Sequence, residues 1–345
     1  MEFFPVLEGL RGIAAVLVMF RHIGYLSPLH AKTSYLAVDL FFLLSGVVIA
    51  KSYEQKLLTQ SIGFLAFAKK RIIRIFPLYL IGSLIGALAL YLGGFHGVHL
   101  VIAIILAVFM IPDWFSSTHF YPFDHPSWSL FFEFFVNFAY AKTIKLLSNS
   151  LLLFIVFISF GCLAFGAVKF KGLDIGFFPS SFWFGFPRVC FSFFYGVLIY
   201  RCFCKNRKII IRFNKSAALA ILFVAVLTEA LPIPSKFIPV FDLAVISLVA
   251  PALVALALYV SVSGCVRAVL LILGDISFPL YVLHVPLFMI STLFFGSELE
   301  RYLPFSRLWF CSFAIISAIA AYYWIDVRLR QKLNKRIDLP KSPMG

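Results

Sequence analysis

The fold class this sequence predicts is an all-α, polytopic transmembrane helix bundle with about ten crossings and both termini in the cytoplasm. Three observations lead there. First, 62% of the 345 residues are hydrophobic and 13% are charged, with a mean hydropathy of +0.99. Soluble domains are about half apolar and about a quarter charged, so this composition is suited to lipid as solvent. Second, apolar stretches of about the ~20 residues needed to cross a bilayer follow one another from residue 5 to residue 326. Third, the net charge of +15 falls in clusters between those stretches, at Lys51 to Arg74, Arg201 to Lys215 and Arg328 to Lys341. Clusters of that kind mark cytoplasmic loops. They form no continuous basic surface, which argues against a nucleic-acid partner and for contact with membrane lipids.

The elements follow in chain order. Residues 6–26 form the first apolar segment. Its start carries Glu2 and Glu8 and its interior carries Arg11, so it does not read as a signal peptide. Residues 34–50 form the second. The more polar stretch 53–74, ending in Lys69-Lys70-Arg71-Ile72-Ile73-Arg74, reads as a cytoplasmic interfacial helix or loop. Segments 75–93 and 98–112 come next, then 127–147, 150–168, 185–203, 216–232, 242–260, 276–296 and 307–326. A short basic cytoplasmic tail, 327–345, completes a single membrane-embedded domain, 1–345. Placing the basic clusters inside is consistent only if 75–112 makes one net crossing, and the short 98–112 is the better candidate for a re-entrant or interfacial piece. Six scattered cysteines, without CxxC or Cys/His groupings, read as unpaired packing residues, and no metal site is expected.

Ionisable side chains within apolar spans are costly and by default mark function. Arg11 and His22 lie eleven positions apart in the first segment, close to three helical turns, so they share a face ~16 Å apart along the axis. The topology puts Arg11 in the inner half and His22 in the outer half. Asp39 lies near the outer end of the second segment, Glu133 in the outer half of 127–147, and His284 near the middle of 276–296. Histidine suits general-base work because its ordinary pKa is near ~6.5. Arginine offers phosphate a charged bidentate fork. Lys70, Arg71 and Arg74 stand before the third segment, whose N-terminus adds partial positive charge for a phosphorylated cytosolic donor. Plainer readings stand beside these: a snorkelling His22, a structural ion pair at Asp39, a protonated packing carboxyl at Glu133, a core His284, a structural Arg11 and ordinary basic anchors at 70–74. Ser45-Gly46 reads as a close helix contact.

Five local sequences carry a resemblance. They are Leu7-Glu8-Gly9-Leu10-Arg11-Gly12 running to His22; Val38-Asp39-Leu40-Phe41-Phe42-Leu43-Leu44-Ser45-Gly46; Arg71-Ile72-Ile73-Arg74-Ile75-Phe76-Pro77; Pro126-Ser127-Trp128-Ser129-Leu130 with Glu133; and Gly274-Asp275-Ile276-Ser277-Phe278-Pro279-Leu280-Tyr281-Val282-Leu283-His284. In this order they resemble the motifs of the membrane acyltransferase 3 family. The resemblance implies an enzyme of the bacterial inner membrane that moves an acyl group, most often acetyl from acetyl-CoA, onto a carbohydrate or lipid-linked glycan. It implies ten transmembrane helices, no permanently bound cofactor, and functional roles for Arg11, His22, Arg71, Arg74, Glu133 and His284. Phe278 stands where the family often has tyrosine, and Lys70 where a second arginine is common.

The expected mechanism follows. Arg71, Arg74 and Lys70 hold acyl-CoA phosphates, and the pantetheine arm passes Arg11. His22 acts as base on a sugar hydroxyl or takes the acyl group, with Glu133 orienting it or receiving its proton. Asp39, Trp128 and His284 are assigned to substrate binding, with Trp114, His119, Tyr121 and His125 of the 113–126 loop as candidate sugar contacts. A glycan or lipid exporter is the rival class. Exporters often carry two related halves, and no internal repeat is apparent here.

Overall fold

The computed structural model describes residues 4–23, 33–116, 120–205, 212–301 and 305–338. It is 83% helical. The helices are α1 (Pro5–His22), α2 (Ala37–Leu58), α3 (Phe64–Leu92), α4 (Val98–Val108), α5 (Trp128–Thr143), α6 (Asn149–Phe170), α7 (Gly185–Lys205), α8 (Lys215–Ala230), α9 (Ile238–Ala244), α10 (Ala250–Tyr259), α11 (Gly264–Arg301), α12 (Phe305–Ala320) and α13 (Val327–Asp338). π-helical turns at Val245–Val249 and Ala321–Asp326 make α9–α10 and α12–α13 continuous rods. The extended structure described is a two-residue parallel pairing of Arg212–Phe213 with Val260–Ser261. Among the described residues, seven rods are long and apolar enough to cross a membrane. The chain is therefore a multi-pass membrane protein. Its apolar side chains face outward as well as inward, as on α6, where Phe154, Phe157 and Phe165 are all more than half exposed.

Three sequence expectations change. The stretch 53–74 is not a separate interfacial element. α2 runs on to Leu58, a turn at 59–63 reverses the chain, and α3 starts at Phe64. Lys70, Arg71 and Arg74 therefore sit two to three turns inside α3 and have no helix N-terminus of their own. Their charges mask the helix in a hydropathy scan, yet Arg71 is tolerated because a carboxylate on another helix meets it. The span expected at 276–296 is the middle of a 38-residue helix that is continuous through Pro279 and Pro286. Residues 327–338 are not a loose tail but helix α13, whose charge pattern obscured its continuity with α12.

α1 packs mainly on α11, α2 on α7, and α3 on α11. The α2–α7 contact depends on a reciprocal glycine pair. A Cβ on Gly46 would come within 2.1 Å of the Phe193 carbonyl oxygen, and one on Gly196 within 2.1 Å of that of Leu43. No side chain fits between backbones that close. Gly46→Leu is expected to force the two helices apart, at ~1–3 kcal/mol or more for overpacking. A thermal-aggregation midpoint in detergent should fall by several degrees; an unchanged midpoint would mean that α2 and α7 are not held this way. The neighbouring Ser45 has a different role, described next.

Candidate functional site

A cavity of about 150 Å³ opens where α1, α2, α3, α5 and α11 meet, and Glu8, Arg11, Ser45, Arg71, Arg74, Ser129, Glu133, Ser277 and Tyr281 contribute its polar lining. Three arginines and two glutamates give it a formal charge of 3 − 2 = +1. All five motif-bearing segments thus meet at one place, although they lie up to 266 residues apart, as Arg11 and Ser277 do.

Each arginine is held differently. Arg11 Nε donates to Ser277 Oγ at 3.0 Å, and its Nη2 donates to the Gly274 carbonyl at 2.8 Å and pairs with Glu8 at 2.6 Å. Glu8 and Arg11 are one turn apart on α1, so the pair forms locally. Arg71 Nη2 pairs with Glu133 Oε1 at 2.6 Å, and Ser45 Oγ donates to the same oxygen at 3.1 Å. Arg71 Nε is buried with no hydrogen-bond partner among the described residues. A buried donor left unmade costs ~1–3 kcal/mol, so this position favours an incoming acceptor. Arg74 Nη1 reaches Asp326 Oδ2 at 3.1 Å, and its guanidinium lies 5.4 Å from the Phe278 ring. The ring contact needs an aromatic face and no hydroxyl, so phenylalanine serves it. Lys70 is half-buried and does not line the cavity.

His22 and His284 form a second polar centre beyond the cavity floor. Phe41 and Tyr281 make that floor, their rings 5.4 Å apart, and Tyr281 in turn lies 6.3 Å from the His284 ring. The Tyr281 hydroxyl donates to the Pro126 carbonyl at 2.9 Å and lies 2.6 Å from Ser129 Oγ, which locks α11 to the start of α5. His284 Nδ1 is 2.9 Å from the Leu280 carbonyl, His22 Nδ1 is 2.9 Å from the Val18 carbonyl, and His284 Nε2 is 3.1 Å from His22 Nδ1. A carbonyl only accepts, so both Nδ1 atoms carry the proton in the neutral pair. His284 Nε2 is then a lone pair accepting from His22, and His22 Nε2 is left as a lone pair as well. The network thus selects the tautomer a base needs. Glu133, expected to orient His22, makes its hydrogen bonds to Arg71 and Ser45 instead. The side chain that orients His22 is His284.

Asp39 does not line the cavity, and its carboxylate pairs with Arg188. With 2% exposure it meets the fully buried Arg188, whose Nη2 is 2.7 Å from Oδ2 and whose Nε is 3.1 Å from each carboxylate oxygen. Arg188 also donates to the carbonyls of Ile175 and Tyr35, and its guanidinium lies 5.3 Å from the Trp128 ring. Asp39→Ala strands that guanidinium, at ~3–5 kcal/mol for a buried pair broken on one side, and should abolish folded protein in the membrane. The double variant Asp39→Leu/Arg188→Met removes both charges. If it restores folding but not acyl transfer, Asp39 serves substrate; if it restores both, the pair is architectural.

The loop expected to meet sugar holds its own network. Tyr121 donates to the Met110 carbonyl at 3.2 Å, and Trp114 packs 4.5 Å from Phe120 and 5.1 Å from Phe182. His125 lines a cavity of about 520 Å³ with His99, Asp113 and Ser116. His119 lies outside the described residues. Burial pushes the Asp124 carboxyl up to about 8, and the hydrogen bond from Ser127 opposes that shift.

Sequence reasoning missed Arg188, Glu8, Asp326 and the partnerships of Ser45, Ser277 and Tyr281. Arg188 carried a readable signal, since it is an arginine inside an apolar span, well before the basic cluster that starts at Arg201. Ser277, Tyr281 and His284 recur from Gly274 at steps of three, four and three, the spacing of one helical face.

Comparison with known sequences agrees with this arrangement of motifs. The acyltransferase 3 family model, described as an acyltransferase domain, matches residues 4–327. "Protein 2 in picA locus" of Rhizobium radiobacter is 35% identical over 157 residues, covering 41% of this chain and 82% of that protein. No solved structure matches.

Proposed function

Because the chain belongs to the acyltransferase 3 family and is a membrane acyltransferase, we propose that it moves an acyl group, most simply acetyl, from cytosolic acyl-CoA to a hydroxyl of an exported carbohydrate. The observation that carries this reading is the pairing of an arginine-lined cavity with a histidine pair just beyond its floor. Phosphates suit the cavity, because its arginines are rigid, charged forks and one has an unused buried donor. Acyl transfer suits the histidines, because His22 Nε2 is left as a lone pair.

In the proposed reaction Arg71 and Arg74 hold the donor phosphates and Arg11 borders the path of the pantetheine arm. The acceptor hydroxyl gives its proton to His22 Nε2 as its oxygen attacks the thioester carbonyl carbon. The C–S bond breaks, and the departing thiolate takes the proton back from the imidazolium. His284 positions His22 throughout. The thioester enters past Phe41 and Tyr281, so that floor must open for turnover.

We place the protein in the bacterial inner membrane with both termini cytoplasmic and ten crossings. Seven long rods, together with α1, α5 and α8 of 18, 16 and 16 residues, support that number. α4 has 11 residues and spans ~16 Å, about half the hydrocarbon thickness. The test is incubation of membranes containing the protein with radiolabelled acetyl-CoA and exported glycans. Alkali-labile label on glycan supports the reading. Label absent from every carbohydrate but present on a lipid or protein replaces the acceptor class.

A further inference from the structure

Arg74 belongs to the cavity wall, yet its partner lies on the last rod. Asp326 ends the π-helical turn 321–326, and Arg330 stands one turn later on α13. Arg330 Nη2 contacts the same Asp326 Oδ2 that receives Arg74, and Arg330 Nε donates to the Asp326 carbonyl at 3.2 Å. One carboxylate oxygen is therefore shared by two guanidinium groups. Asp326 is 4% exposed, whereas the arginine side chains are 26% and 23% exposed, so an incoming anion reaches the cations more readily than the carboxylate. Each guanidinium lies near an aromatic ring, Arg74 at 5.4 Å from Phe278 and Arg330 at 6.0 Å from Tyr322. Two ring-supported forks converge on one anionic oxygen, and a guanidinium carries more N–H donors than that one oxygen can use, so the pair can accept a further anion. The Asp275 carboxyl, bonded to Tyr322, is a second acid nearby. Arg330 lies past residue 327, where the family match ends.

We propose that Arg74 and Arg330, drawn together by Asp326, form a phosphate cradle beside the cavity that Arg74 lines, with the Asp326 oxygen holding the place of a phosphate oxygen while the donor is absent. This rests on the reading of acyl-CoA as donor. The cradle takes a phosphate of the nucleotide end of the donor, which makes α13 part of donor recognition. An anionic lipid headgroup offers the same chemistry, and the experiment separates the two.

Full-length protein is placed in nanodiscs of phosphatidylcholine or of phosphatidylglycerol, and affinities for CoA and pantetheine are measured for wild type, Arg330→Gln and Arg330→Lys. The expected result is about a tenfold loss of CoA affinity for Arg330→Gln in both lipids, as fits one charge-assisted contact, with pantetheine affinity within twofold of wild type. Arg330→Lys should recover part of the loss, because charge returns without the fork. An unchanged CoA affinity in Arg330→Gln, or an equal loss for pantetheine, overturns the cradle and leaves the donor reading intact. A loss seen only with phosphatidylglycerol assigns the pair to lipid and also overturns it. Wild type that binds pantetheine but gains nothing from the phosphates of CoA overturns both.

Discussion

His22→Ala abolishes acyl transfer while the protein inserts and folds at wild-type levels. A positioned general base contributes ~10²–10⁴-fold, so kcat should fall by at least about a hundredfold. The prediction is specific because the histidine pair is arranged for one task. Val18 and Leu280 carbonyls each fix an Nδ1 proton, and His284 Nε2 accepts from His22. A histidine kept only for packing has no need of a partner histidine 262 residues away. The measurement is single-turnover acetyl transfer in membranes, with protein amount checked by immunoblot. Retained transfer in His22→Ala removes His22 from the chemistry and leaves it as a guard of the outer mouth. His284→Gln keeps an acceptor near His22 and should lose less than His284→Ala, with a displaced pH–rate profile. Equal losses would mean that His284 does more than position its neighbour.

Arg71→Ala is the second large effect, and it should act on donor affinity. Its Nη2 is bound to Glu133, but its Nε is buried and unpaired, so the group has capacity in reserve. Losing a charge-assisted contact costs ~1.5–3 kcal/mol, roughly ten- to a hundredfold in acyl-CoA binding. The single variant also leaves the half-buried Glu133 beside Ser45 without its cation, which disturbs the cavity wall. Arg71→Ala/Glu133→Gln avoids that problem and isolates the donor term. Arg71→Lys should not rescue, since a point charge cannot serve both Glu133 and phosphate from the same stem. Unaltered acyl-CoA affinity in the double variant excludes Arg71 from phosphate binding and makes its ion pair architectural.

Most of the helices were readable in the sequence because lipid imposes long apolar runs, and each segment from 127 onward has a counterpart in the structure. Where reading failed, charge was the cause. The boundary at Phe64 is hidden by Lys69, Lys70, Arg71 and Arg74. Hydropathy averages over a window and cannot know that Arg71 finds Glu133, 62 residues away. α13 is obscured in the same way by Arg328, Arg330 and Lys332. The site was legible as a set of motifs but not as a set of pairs. Arg11, Arg71, Arg74 and Glu133 were named from sequence and share one cavity. The partner of Asp39 was not found, since Arg188 lies 149 residues on and nothing local joins them. Glu133 was matched to the wrong neighbour because depth in a span fixes height and leaves facing undetermined.

α11 carries the grip on Arg11 through Gly274 and Ser277, the cavity floor through Tyr281, and the support of His22 through His284. These contacts lie along ~15 Å of one continuous helix. Inserting or deleting one residue between Gly274 and His284 turns everything beyond it by ~100° and shifts it by ~1.5 Å, so both ends cannot stay in register with α1. The spacing between Gly274 and His284 is therefore as much a part of the site as the side chains it carries. A one-residue insertion or deletion inside 274–284 is expected to abolish acyl transfer even where every contacting side chain is kept.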